Sequence, residues 1–111
     1  MAIILHVIDR EEWQAASLAP EYRPPSFAAE GFIHCSASEA QALAVVARLF
    51  AGRSHLLALE IDTDRLGSEV RYEPGASGEL YPHIYGPLET AAVRRARTLL
   101  SGPEGTYSIE S

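Results

Sequence analysis

The 111-residue sequence predicts a single α+β domain, with one long helix packed across a twisted, mixed β-sheet of about six short strands. Three observations predict it. Apolar runs such as Ile3 to Ile8 and His55 to Ile61 have the length of buried strands and are too short for helices. Two capping boxes, Asp9-x-x-Glu12 and Ser36-x-x-Glu39, mark helix starts. The second opens a stretch with a sustained helical apolar stripe. A chain of this length is one domain by the usual allotment of roughly 100–200 residues.

Taken in order, Ile3 to Ile8 is the first strand, and Asp9 caps a helix through about Ser17 in which Trp13 is the anchor. Leu18 to Ala29 holds three prolines and no period, and reads as a loop closed by Gly31. Phe32 to Cys35 is a second short strand. The long helix is expected from about Ala37 to Ala51, with Leu43, Val46, Ala47 and Phe50 as its stripe and Gly52 beyond its end. His55 to Ile61, apolar on both faces, predicts a central strand. Asp62 to Arg65 is a turn, Glu69 to Glu73 alternates as a strand, and Pro74 to Gly78 is a loop. Leu80 to Tyr85 is strand-like, with Pro82 demoting it to an edge, bulge or turn position. Leu88 to Leu100 fits a helical stripe through Val93, Ala96, Leu99 and Leu100, while the nearby Pro103 and the Thr106 to Ile109 run fit a β ending.

Composition narrows the function classes. Hydrophobic residues at 47% and charged residues at 22% suit a globular domain and exclude disorder as the main state. No apolar run approaches the roughly 18 residues of a membrane span. The opening MAIILHVIDR lacks a basic n-region and a cleavage site, so the expectation is a cytoplasmic protein. The single cysteine excludes an internal disulfide. A net charge of −6, with Arg94, Arg95 and Arg97 as the one basic cluster, argues against nucleic acid as a partner. No pair of histidines stands at metal-ligand spacing, and no phosphate-loop or nucleophile-elbow motif occurs.

Side chains alternate across a strand, so residues two apart share a face. That rule places His34 with Ser36, opposite Ile33 and Cys35. It places His83 with Tyr81 and Tyr85, opposite Ile84, and Arg71 with Glu73. If those three segments neighbour one another, their polar pairs line a single cleft containing two imidazoles, a carboxylate, a guanidinium and phenols. Such a mixture suits acid/base work or a phosphate-bearing ligand. The same histidines also fit sheet residues hydrogen-bonded to backbone, and Arg71 with Glu73 fits a surface ion pair.

The stretches Glu30-Gly-Phe-Ile-His-Cys-Ser and Tyr81-Pro-His-Ile-Tyr-Gly-Pro-Leu resemble the signatures of domain-of-unknown-function family 952, small bacterial and plant proteins. The opening strand followed by Trp13, and Val70-Arg-Tyr-Glu, match that pattern in order and spacing, so the resemblance covers essentially the whole chain. It implies the ADP-ribosylation fold, shared by NAD-using transferases and an RNA 2′-phosphotransferase. In those enzymes a His or Arg on the first strand holds the adenosine-ribose side of NAD. A Tyr- or Ser-bearing strand holds the nicotinamide side, and a later Glu supports the developing oxocarbenium ion. By placement, the resemblance gives His6 the first role and Ser36, with His34, the second; Glu73 and Glu79 both stand as candidates for the third. It also tilts Ala92 to Leu99 towards strand.

Residue pattern and resemblance together point to a site for a nucleotide or ADP-ribose-like small molecule, with NAD as the cofactor in question. Glu73 and His83 are its catalytic candidates, and His6, His34, Ser36, Arg71 and Tyr85 its ligand-binding candidates. An NAD-related transferase, a non-catalytic binding module and a structural or partner-binding protein all stay open. No feature sets the oligomeric state.

Overall fold

A computed structural model describes residues 2–111. Along them run β1 (Ile3–Asp9), α1 (Arg10–Ala16), β2 (Glu21–Tyr22), α2 (Phe27–Glu30), β3 (Ile33–His34) and α3 (Glu39–Leu49). There follow β4 (Leu56–Asp62), β5 (Glu69–Pro74), β6 (Leu80–Tyr85), β7 (Leu88–Glu89), β8 (Val93–Ser101) and β9 (Tyr107–Ile109). β4 organises the core because it is apolar on both faces. Leu57, Leu59 and Ile61 pack with Ile4, Ile33 and Ile84 on one side. Leu56 and Ala58 pack with Ala42, Val46 and Leu99 on the other. Burial of each such leucine or isoleucine stabilises the fold by about 1.5–3 kcal/mol.

The strands form a four-stranded sheet ordered β1-β4-β8-β9, a three-stranded sheet ordered β3-β6-β5, and a β2-β7 pair. An isolated bridge from Leu5 to Ser36 joins the outer edge of β1 to the chain just past β3. Among the described residues no helix is long and apolar enough to cross a membrane.

This architecture corrects the α+β expectation, and with it the ADP-ribosylation fold implied by the resemblance. Among the described residues there are nine strands, which make up 41% of the chain, and the helices are short. Every strand pairing among the described residues is antiparallel, and they form no single mixed sheet. The expected long helix is α3, which has 11 residues. Its start shifts because Ser36 is drawn into the bridge, donating to and accepting from Leu5 at 2.7 Å each way, which holds it extended. Ser38 caps instead, its hydroxyl accepting from Gln41 N at 3.1 Å, while Gln41 Oε1 accepts from Ala37 N at 2.9 Å. Ala47 is exposed, and Ala42 takes the buried place on the stripe.

Two further expectations change for reasons of pairing. β6 is the middle strand of its sheet, not an edge, although Pro82 is fully buried within it. Pro82 O accepts from Cys35 N at 3.0 Å, so the proline's missing N–H faces β3 where that strand ends, and few ladder bonds are lost. The helical spacing of Val93 and Ala96 belongs to a bulge in β8. The register steps from Glu60↔Arg95 to Ile61↔Val93, so Val93 and Ala96 oppose Ile61 and Leu59, which share a face.

Candidate functional site

The order β3-β6-β5 sets His34, His83 and Arg71 in one row, backed by the apolar row Ile33, Ile84 and Val70 in the core. The approach to β3 is a left-handed Gly31 (φ 80°) that ends α2 and turns Phe32 onto the same face. Phe32 stacks on His83 with centroids 4.3 Å apart and an interplanar angle of 21°, and it lies 5.3 Å from the Tyr85 ring. His34 meets His83 edge-on at 5.2 Å and pairs through Nε2 with Glu30 at 3.0 Å.

Glu73 is the hub. Its Oε1 accepts from His83 Nδ1–H at 2.8 Å and from the Tyr85 hydroxyl at 2.5 Å. These two bonds hold the Glu73 carboxyl below the usual carboxylate range, and the Tyr85 phenol is raised by the same contact. Glu30 is lowered by its bond to His34. Arg71 donates to Glu69 Oε1 at 3.0 Å and lies over the Tyr85 ring at 4.3 Å. With Nδ1–H committed to Glu73, His83 leaves Nε2 without a protein partner, an arrangement suited to acid/base work. Every fully buried side-chain nitrogen or oxygen among the described residues has a partner. The unpartnered Nε2 of His83 is therefore not fully buried, and His83 lines a cavity of about 300 Å³ with Phe32, His34, Arg48, Gly75 and Tyr81.

A second cavity, of about 310 Å³, opens where β1 and β3 splay apart. Beyond the Leu5–Ser36 bridge, the next antiparallel pair would be Val7 with His34, and it does not form. His34 C=O instead accepts from the His6 Nδ1–H at 2.6 Å. Backbone polar groups two apart along an edge strand point the same way, so Val7 N–H and C=O face the gap, as Leu5's face Ser36. His6 is buried, and that burial lowers its pKa and keeps the ring neutral, with Nε2 open to the cavity. The Ser36 hydroxyl opens there too. Across the gap, Tyr22 donates its hydroxyl to Glu12, and burial pushes its phenol far up. Asp9 and Arg53, 3.5 Å apart, stand at the same cavity.

Thus His34, Arg71, Glu73, His83 and Tyr85 share one sheet face, whereas His6 and Ser36 line the gap along β1. His34, Cys35, Val45 and Leu49 border both cavities. Glu79, the alternative to Glu73, bonds Gln41 and Ser77 beside α3, away from the dyad. Cys35 is buried, and that burial raises its thiol pKa. Among the described residues no cluster of His, Cys, Asp or Glu is placed to hold a metal ion. Sequence reasoning missed Phe32, although it lies two residues before His34 and the alternation rule names it. It also missed Tyr22, Glu12 and the Val7 backbone, for which sequence carries no signal.

Residues 7–96 match the family described as Protein of unknown function (DUF952). The crystal structure of protein CC0527 from Caulobacter crescentus superposes with a TM-score of 0.85 at 30% identity, covering 96% of this chain and 94% of that one. The solution structure of the same protein gives a TM-score of 0.79 at 31% identity, covering 96% and 91%. No curated protein matches the chain.

Proposed function

The chain belongs to the DUF952 family of proteins of unknown function, and on that premise we propose that it binds a nicotinamide dinucleotide or ADP-ribose-like ligand in the gap between β1 and β3. One observation carries the reading: a splayed strand edge presents Val7 N–H and C=O beside the Ser36 hydroxyl and His6 Nε2, in one cavity. That set fits a primary carboxamide. Val7 N–H and the Ser36 hydroxyl donate to its oxygen, and Val7 C=O accepts from its nitrogen. His6 Nε2, neutral and held by His34 C=O, accepts from a sugar hydroxyl. Val7 and Val45 give the cavity apolar wall on which a flat ring can rest.

His34 links this gap to the sheet face, where the Glu73–His83 dyad serves as acid and base and Tyr85 fixes Glu73. The Arg71 nitrogens that Glu69 does not engage are available to a phosphate.

Calorimetry with NAD+, nicotinamide and ADP-ribose, on the wild type and on Ser36→Ala, tests the binding. Chromatography for released nicotinamide tests turnover. The reading expects NAD+ and nicotinamide to bind and Ser36→Ala to weaken both. Binding without release makes the protein a non-catalytic module, and no binding of any of the three overturns the reading.

A further inference from the structure

We infer that the cavity facing His83 is a second-substrate pocket for a small anionic alcohol, its anion on Arg48 and its hydroxyl on His83 Nε2. This rests on reading Glu73 and His83 as an acid/base dyad and adds what that dyad acts upon. His83 is 8% exposed, its Nδ1 is committed to Glu73 at 2.8 Å, its Nε2 has no partner, and the residue lines this cavity and not the gap at β1. A buried imidazole with one nitrogen anchored to a carboxylate and the other free is arranged to accept a proton from a hydroxyl.

Charge sets the rest of the ligand. Among the described residues that line the cavity, Arg48 is the one permanent charge, and it makes no ion pair. Glu73 and Glu30 stand outside the lining, bonded to His83 and His34, and Glu79 is bonded to Gln41 and Ser77. An anion entering here meets a free guanidinium, and its carbon skeleton meets Phe32, Val45, Leu49 and Tyr81. A cavity of about 300 Å³ limits the ligand to a small metabolite. The shared chemistry is a hydroxyl beside a phosphate or carboxylate.

The test is an NMR titration of the full chain with glycerol 3-phosphate, glycerate and glycerol, without any dinucleotide present. It is thus read independently of the gap at β1. The His83 Cε1–H and Arg48 side-chain resonances should move with one or both anions and not with glycerol. Arg48→Ala and Arg48→Gln should each weaken that binding by about tenfold, the usual size of a charge-assisted contact. Equal movement with glycerol, anion binding that survives both Arg48 variants, or a silent His83 would overturn the proposal.

Discussion

Nδ1 of His83 lies 2.8 Å from Oε1 of Glu73, two residues from neighbouring strands that meet across a diagonal of the β5–β6 ladder. Their register partners are Arg71 and Tyr81, so the contact depends on side chains reaching along the sheet face as well as across it. The carboxylate orients the imidazole, and Tyr85 orients the carboxylate.

Removing the charge while keeping the shape should release that tautomer. In Glu73→Gln, long-range 15N–1H correlations at neutral pH should show His83 changing from the Nδ1–H form towards a mixture with Nε2–H. An unchanged pattern would mean that Glu73 does not set the tautomer.

Scaffold and site should separate by stability. Ile33 and Leu59 are fully buried, so Ile33→Ala and Leu59→Ala should each cost roughly 2–5 kcal/mol. His34, with a side chain 55% exposed, should cost no more than about 1 kcal/mol as His34→Ala. His83→Ala should fall between them, because the ring is buried beneath Phe32 but borders a cavity. Denaturant midpoints at constant slope give the ranking.

The start of α3 gives a sharper contrast. Ser38→Ala should cost about 1 kcal/mol through loss of the bond to Gln41 N. Ser36→Ala should cost only a few tenths of a kcal/mol, since its bridge is made by backbone. A larger loss at Ser36 than at Ser38 would restore the sequence-based cap.

His6 makes stability depend on pH. Its pKa is lowered in the folded chain by burial, so the unfolded chain binds more protons as pH falls below the ordinary value of 6.5. The contribution is present above 6.5 and is lost as pH drops through the folded value. The wild-type urea midpoint should therefore fall more between pH 7.5 and 5.5 than that of His6→Gln. Parallel losses would show that His6 does not carry the effect.

The local chemistry was legible in the sequence where it depends on strand alternation. The faces of Arg71, Glu73, His83 and Tyr85 follow from two-residue spacing. Their assembly does not, because the order β3-β6-β5 is a matter of tertiary pairing. The cap at Ser36 was misread because an antiparallel bridge to Leu5, far off in the chain, outcompetes a local capping box. Pro82 was misjudged because the shortness of β3 removes the need for its N–H. The splay between Val7 and His34 leaves no trace in sequence, for it is a pair that fails to form.

That splayed edge is the centre of the proposed site. A 1H–15N titration of the labelled chain with NAD+ tests it most directly. The amides of Val7, His34 and Ser36 should shift together and saturate with one dissociation constant. Shifts confined to surfaces away from these three amides, or none at millimolar ligand, would contradict it.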